Sequence, residues 1–475
     1  MKKRLIISSI VSIFLSNEML YAKNVGPTVQ KLSQEVKELK NTITNYEKIQ
    51  KNNIKDIEEL YDYTEQTETR TLEDKLKFGL GYQVTMDNFS KKLANSKKVK
   101  NNNVIANKLM LNIKADITKT MKFHTRLSMY KYWGNGKIHQ YSTYDNMQGR
   151  VPSVSTLFVE RAYFDWFLNQ DSYLPVAITI GRQPSADGPS HQLKNSTTRK
   201  ATYSALLYDG ASDGAMLTLD FSKMLSYKGT YLRFGYGKGY IYTESRVDAS
   251  TAFVGTLDNK LKDTDVYGVF LDTKFPGVKQ SLIQISYTKM LNIIANQLDT
   301  NTSSNTNIGD FSMYGIMAEF NNIKDTNLDL FAHYGYSEAI SNGNSYGTYG
   351  GLLTTNKNED SKTGYAVWLG ARYSLDDKKY YKIGLEYNHG SKNWVSLTQG
   401  ASDVYNKLAT RGDAYEAYMI FTVNRYTNIR LGYIALDYEF TKSGWFVGES
   451  QKISKINTTD IDKLSSLYLK MSINY

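Results

Sequence analysis

The chain has 475 residues, 58 Lys and Arg against 47 Asp and Glu for a formal charge of +11, and no Cys, which excludes disulfide frameworks, thiolate metal sites and cysteine nucleophiles. With 38 Tyr and 33 Gly but only 6 Pro, and a mean hydropathy of -0.47, it is rich in aromatics yet too polar for a bundle of membrane-crossing helices. Its five His (His124, His139, His191, His333 and His389) form no HExxH and no short-spaced pair, and no GxSxG is present, so neither a catalytic nor a metal site nor a cofactor is expected.

Lys2, Lys3 and Arg4 precede an apolar run from Leu5 to Leu15, and Tyr21-Ala22 offers the small residue that a signal peptidase accepts, although Leu20 is bulkier than the usual pattern. An apolar run of about eleven residues is well short of the roughly 20 that span a bilayer, so residues 1–22 read as a removed signal peptide. Its loss takes three basic groups and Glu18 and leaves 55 basic against 46 acidic residues, or +9.

Over residues 27–68 the apolar spacing is three and four: Val29, Leu32, Val36, Leu39, Ile43 and Tyr46, then polar Gln50 and Asn53, then Ile57, Leu60 and Thr64. Such a heptad pattern, sustained for about five repeats with Lys and Glu between, predicts an α-helical coiled coil in need of partner helices. Val and Ile at a with Leu at d favour two strands by the parallel-dimer rule, and Gln50 and Asn53 would set the register at some cost in stability.

After Leu72 the period becomes two and stays there to residue 475. Leu76, Phe78, Leu80, Tyr82, Val84 and Met86 form a first alternating row; Leu109, Leu111, Ile113 and Ala115 form a second; Phe123, Thr125, Leu127 and Met129 form a third. Each is about ten residues long, the length that a tilted membrane strand needs. Short polar turns near 118–120, 169–173, 222–229, 274–280, 321–326, 374–379 and 423–427 alternate with longer polar stretches at 87–104, 133–156, 182–213, 239–263, 295–310, 337–362, 390–411 and 441–462. Seven turns and eight loops imply sixteen strands, so the fold class is all-β: a sixteen-stranded antiparallel transmembrane β-barrel behind an N-terminal helix. With short turns in the periplasm and long loops outside, the coiled coil is periplasmic.

The polar face of the strands forecasts the interior. Parity points Arg233, Asp329, His333, Arg372, Lys382, Glu386 and Arg430 into the lumen, and a sixteen-stranded bore is too wide for side chains to fill, so water is expected there. In the third long loop, Arg182 shares the lipid-facing parity of Ile178 and Ile180, so the strand should end or bulge at Gly181. From Arg182 to Ala205 that loop carries Arg182, Lys194, Arg199 and Lys200 against Asp187, a net +3. Laid across the bore, those five residues would form a constriction with a weak preference for anions.

The last strand alternates Leu467, Leu469, Met471, Ile473 and Tyr475 with polar residues and stops on an aromatic. It resembles the terminal strand of bacterial outer-membrane β-barrels, which the insertion machinery reads as a signal. The segments Phe158-Val159-Glu160-Arg161-Ala162-Tyr163-Phe164-Asp165-Trp166 and Gly181-Arg182-Gln183-Pro184, with the Asp-Gly pairs at 187–188 and 209–210, resemble an uncharacterised Gram-negative family of such barrels with an N-terminal coiled coil. The first two segments are also distantly similar to phosphate- and carbohydrate-selective porins, whose ligand residues cannot be matched here position by position. The resemblance implies a non-enzymatic porin that passes small hydrophilic solutes by diffusion, with lipid and lipopolysaccharide as surroundings and no nucleic acid as partner. Because general porins of this size are typically trimers, it favours a homotrimer joined through barrel and coiled coil over the dimer. An alternative is a structural barrel whose coiled coil tethers the envelope or docks a periplasmic partner.

Overall fold

The structure, a computed structural model, describes residues 27–134, 155–184, 188–199, 201–240, 262–278, 280–295, 306–346, 349–355, 360–398, 405–454 and 460–475. The expected signal peptide, Asp187 and Lys200 lie outside the described residues. The chain divides into a unit ending at Asp74 and a unit beginning at Lys75.

The first unit contains one long helix, α1 (Pro27–Lys75), which outruns the expected 27–68 and starts on a proline whose missing N–H costs a first helical turn nothing. Its apolar row, Leu32, Val36, Leu39, Ile43, Tyr46, Ile57 and Leu60, is 40% to 65% exposed in the single chain. A stripe of this kind gains nothing from water and is stabilised only when another surface covers it.

The second unit holds, among the described residues, sixteen strands: β1 (Leu76–Leu93), β2 (Lys98–Asp116), β3 (Met121–Tyr132), β4 (Phe158–Leu168), β5 (Val176–Pro184), β6 (Ala211–Asp220), β7 (Tyr231–Tyr240) and β8 (Thr264–Thr273), followed by β9 (Ser281–Ala295), β10 (Thr306–Phe320), β11 (Leu328–Ser341), β12 (Ser361–Ser374), β13 (Tyr381–Gly390), β14 (Gly412–Asn424), β15 (Thr427–Tyr438) and β16 (Ile461–Asn474). Each pairs antiparallel with the next, and β16 pairs back to β1, so the sheet is a closed barrel with no free edge. Tyr475 completes the seam: its N–H donates to the carbonyl of Leu80 at 2.7 Å and its carbonyl accepts from the N–H of Leu80 at 2.9 Å.

Two expected loop boundaries change. The stretch 87–104 is not a loop: β1 runs to Leu93 and β2 starts at Lys98, leaving a tight turn at 94–97 on a long hairpin. Nor does β5 end at Gly181, which stays in register opposite Gly214 while adopting φ 124°, a conformation closed to residues with a Cβ. The ladder therefore continues to Arg182, opposite Asp213, and on to Pro184 opposite Ala211.

Alternation along the strands separates two faces. On β11, Leu330, Tyr334 and Ile340 are exposed on the outside, while Asp329, Phe331, His333 and Ser337 are buried inside. Aromatic pairs ring the wall at the short-turn end (Phe275 with Phe320, Tyr381 with Phe421, Tyr426 with Tyr475) and again nearer the long loops (Tyr236 with Tyr267, Tyr287 with Tyr314, Tyr387 with Tyr415). An apolar belt between aromatic girdles is what the two membrane interfaces require.

The bore is not the open, water-filled one that its charged inward rows suggest. The described parts of loop three (188–199 and 201–210), loop six (342–346 and 349–355), loop seven (391–398 and 405–411) and loop eight (439–454) enter it and build an apolar core against the inner wall of β9–β12, with Leu206, Leu207, Leu352, Trp394, Leu408 and Val447 packed in one cluster with Phe331 and Trp368. The loops bind one another as well: Tyr208 bridges Leu397, and Leu352 bridges Val447. Buried Arg411 gives Nε to the carbonyl of Trp394 (2.9 Å), Nη1 to that of Thr441 (3.2 Å) and Nη2 to that of Trp445 (2.7 Å), and so clamps loop seven to loop eight. Burial pulls its pKa down to about 10, which leaves it charged at neutral pH.

A second fastening is ionic. Glu386 and Glu416 stand directly opposite each other in the β13–β14 ladder, both buried, an arrangement that repulsion disfavours on its own. Lys407 of loop seven reaches between them and bonds both, and Lys194 of loop three adds a second cation to Glu416 at 3.0 Å. Lys407→Met should leave the two carboxylates facing each other under the plug and cost about 3 to 5 kcal/mol. We expect loop seven to become open to limited proteolysis while the barrel keeps its strand content. In Lys407→Met combined with Glu386→Gln part of the protection should return.

Candidate functional site

Beside the plug, toward the short-turn end, the inward faces of β1–β4, β15 and β16 border a cavity of about 760 Å³. Its wall is built by parity: Gln83 on β1, Asn112 and Lys114 on β2, Arg126 on β3, Arg161 and Tyr163 on β4, Arg430 on β15 and Lys470 on β16. Residues 194–199 of loop three close it from the plug side.

Three ionic knots hold this lining. Between β3 and β4 the register shifts, so that Arg126 faces Arg161 while Leu127 faces Val159, and Glu160 is the extra residue. The bulge turns Glu160 and Arg161 both inward, which strict alternation forbids. Glu160 then accepts from Lys108 (3.1 Å), Arg126 (3.2 Å), Arg161 (3.1 Å) and the hydroxyl of Ser128 (2.5 Å): three cations on one buried carboxylate. On the far wall Asp272 of β8 takes Arg199 at 2.7 Å and Arg233 at 2.8 Å, with Gln284 donating to its other oxygen at 2.7 Å. The third knot is Glu416 with Lys194 and Lys407, to whose Oε1 the hydroxyl of Tyr468 also donates at 2.6 Å.

The residues singled out from the sequence divide by element. Arg182 lies within the wall, in β5, and pairs with Asp213 of β6 at 3.0 Å. Lys194 and Arg199 stand inside the barrel, each held by a carboxylate of the wall. Asp187 and Lys200 cannot be placed, being outside the described residues. The seven side chains assigned to the lumen by parity all face the interior, and most of them seat a loop rather than line water. Arg372, paired with Asp329 at 2.6 Å, donates to the carbonyl of Leu193; Lys382 donates to Ser196 at 3.0 Å; Arg430 donates to the carbonyl of Lys194 at 2.7 Å; Glu386 holds Lys407 and the indole N–H of Trp368. Arg233 holds Asp272.

His333 contacts Ser204 through Nδ1 at 2.7 Å and Ser190 through Nε2 at 3.1 Å, while Ser190 also donates to Glu319 at 2.7 Å. Ser, His and Glu thus meet, but Nδ1 faces a hydroxyl where a triad needs a carboxylate, and all four residues are sealed between loop three and the wall. The group fixes loop three. Among the described residues, no three His, Asp or Glu side chains converge on a site for a metal.

Sequence reasoning missed Glu160, Glu319, Glu416 and Asp272, the carboxylates on which the cations converge. Alternation could have placed Glu319 and Glu416 inward, since apolar neighbours flank both; the bulge at Glu160 has no such signal.

Several solved outer-membrane proteins have a similar barrel. Salmonella typhi OmpF, in complex with daunomycin, is 10% identical with a TM-score of 0.47, covering 85% of this chain and 99% of its own. Pseudomonas putida OprB, at high pH, is 12% identical with a TM-score of 0.46, covering 86% and 96%. Vibrio cholerae OmpT, folded in vitro, is 10% identical with a TM-score of 0.42, covering 84% and 98%. No curated protein matches. Residues 98–475 match the family described as Protein of unknown function (DUF3373), and since they make up most of the chain, it belongs to that family.

Proposed function

We propose that this barrel is a non-enzymatic outer-membrane channel through which small hydrophilic solutes diffuse, with a modest preference for anions. The observation that carries the reading is the cavity beside the plug, lined by polar and basic side chains from six strands within a wall whose outside is apolar. Fixed positive charge in a narrow low-dielectric passage raises the local concentration of anions, and salt screens it over about 10 Å at 0.1 M.

In this reading the short turns and the start of β1 face the periplasm, α1 lies there, and the long loops face outward. The exposed row from Leu32 to Leu60 supports pairing with helices of further copies, for which we propose a trimer. The same row supports a second reading, in which the plug keeps the barrel shut and the helix docks an envelope partner.

Planar-bilayer recording separates the two, because a channel gives discrete conductance steps and a shut barrel gives none. Under a KCl gradient the reversal potential should report weak chloride selectivity. Lys114→Glu with Lys470→Glu, which moves the cavity charge by four units, should shift it toward potassium and flatten as salt rises. A reversal potential unmoved by the pair would remove the cavity from the permeation path.

Topology and assembly have their own tests. Protease added to intact cells should nick loop six and spare the region of Lys40, which becomes accessible only after the envelope is opened. Replacing Leu39 and Ile43 with Asn should lower the oligomer mass of the purified protein; an unchanged mass would exclude a helical seam.

A further inference from the structure

An inward-facing glycine leaves a hollow in the barrel wall where a side chain would stand. Under the plug such hollows are filled from the loops. A Cβ at Gly315 of β10 would meet Leu207 at 2.5 Å, and one at Gly335 of β11 would meet Trp394 at 2.6 Å, so two loop side chains sit as knobs in holes of the wall.

A larger group of inward glycines lies on β6–β8. The ladder sets Gly214 opposite Gly237 and Gly237 opposite Val266 in one cross-strand row, and in the row beside it Met216 opposite Gly235 and Gly235 opposite Gly268. Met216 and Phe270 are buried while Leu217, Phe234 and Tyr267 are exposed, which turns both rows inward. Among the described residues, the atoms nearest to a Cβ at these four glycines belong to β6–β8 themselves and not to a loop. The bare patch opens into a pocket of about 300 Å³ toward the long-loop end, which loop three borders with Tyr203 and Tyr208. Tyr203 stands edge-on to Phe270 at 4.7 Å and 5.1 Å from Tyr208.

The lining selects a ligand by its chemistry. Met216, Met290 and Met313 supply three thioethers, and Phe311 and Phe446 add two rings to those of the tyrosines. Thioethers and ring edges pack favourably against an aromatic face and adapt to its outline. Charge in the lining is balanced, Arg182 and Lys238 against Asp209 and Asp213. Arg182 is paired with Asp213 at 3.0 Å, and Lys238 with Asp263 at 2.9 Å and Asp265 at 2.6 Å. An ion would therefore give up water without meeting a net opposite charge. Gln183 and Thr288 stand among the apolar side chains as polar contacts for a hydroxyl or a ring N–H, and an apolar lining with a few polar groups is the usual make-up of a small-molecule site.

We propose that this pocket binds a small uncharged aromatic molecule of the phenol or indole class, whose ring occupies the glycine hollow as Leu207 and Trp394 occupy those at Gly315 and Gly335. The site goes beyond the channel reading and shares no lining residue with the 760 Å³ cavity.

The test is fluorine NMR on the full-length detergent-purified protein, titrated with para-fluorophenol and with fluoroindole against a blank of the same micelles, which subtracts partition into detergent. Saturable line broadening above the blank is expected, reversed by unlabelled indole. Binding of para-fluorobenzoate should be at least about tenfold weaker, because its carboxylate would be buried without a partner. Gly235→Leu fills the hollow, its Cβ 3.1 Å from the flexible tip of Met216, and should weaken binding of the phenol at least about tenfold while circular dichroism stays that of the parent. Met216→Ala enlarges the hollow instead and should tighten binding of the larger fluoronaphthol about threefold or more. If Gly235→Leu does not fold, Met216→Ala decides alone. The absence of a saturable component above the blank, or saturable binding that neither folded variant alters, overturns the site. A benzoate that binds as tightly as the phenol overturns the uncharged class. Conductance enters none of these outcomes, so the failure of the channel reading and the failure of the site are told apart.

Discussion

A sheet in hydrocarbon has no water to satisfy its edges, and from that constraint nearly everything else in the barrel follows. Closure between β1 and β16 meets it, but a ring of sixteen strands is wider than two facing layers of side chains can fill. The interior must therefore hold water or chain. Here chain fills the side against β9–β12, and a cavity lined by basic side chains is left against β1–β4, β15 and β16.

The side filled by chain explains why the inward carboxylates are so deeply buried. Glu319 receives Ser190 and Gln192, Glu416 receives Lys194 and Lys407, Asp272 receives Arg199, and Asp329 orients Arg372 toward the carbonyl of Leu193. Nearly every wall acid in this region receives or orients a group of loop three or loop seven. Such bonds are costly to break singly, since each leaves a charge or donor stranded in a dry seam. Loop three is thereby pinned at several points along 190–204, and its segment 194–199 is held as the rigid roof of the cavity.

Much of this was legible in the sequence, for a reason that can be stated. A strand that is apolar toward lipid and polar toward the lumen writes period two directly into the chain, so the sixteen strands, the turns between them and the inward direction of Asp329, His333, Arg372, Lys382, Glu386 and Arg430 could all be read by parity. Parity fails where the ladder is irregular. Gly181, at positive φ, let β5 run on to Pro184 where an end or a bulge was expected, and the bulge at Glu160 put two consecutive residues inside. It also says nothing of partners within the bore. That Arg430 meets the carbonyl of Lys194, or that Lys407 parts Glu386 from Glu416, depends on where loops land after closure, and no local period encodes it. Over 27–68 the helix is local and readable from its spacing, and its apolar row is exposed in the single chain.

Anchoring and the sign of the cavity's charge are two results of one distribution. Loop three carries cations at Lys194 and Arg199, and the wall offers acids to hold them, so each pairing fastens the loop and cancels one charge. Had Glu160, Asp272 and Glu416 each met a single cation, the cavity would be closer to neutral and the roof equally well fixed. Each instead meets at least two, and Glu160 meets three, so that the bonds which hold the plug leave positive charge unspent on the cavity side. A carboxylate bridging several guanidinium or ammonium groups lowers their mutual repulsion without abolishing their field, which at these separations inside a low-dielectric wall is weakly screened. Mechanical and electrostatic roles therefore cannot be varied independently at those three acids. They can be at Lys114, which lines the cavity and whose ion pair is with Asp116 of its own strand and not with loop three.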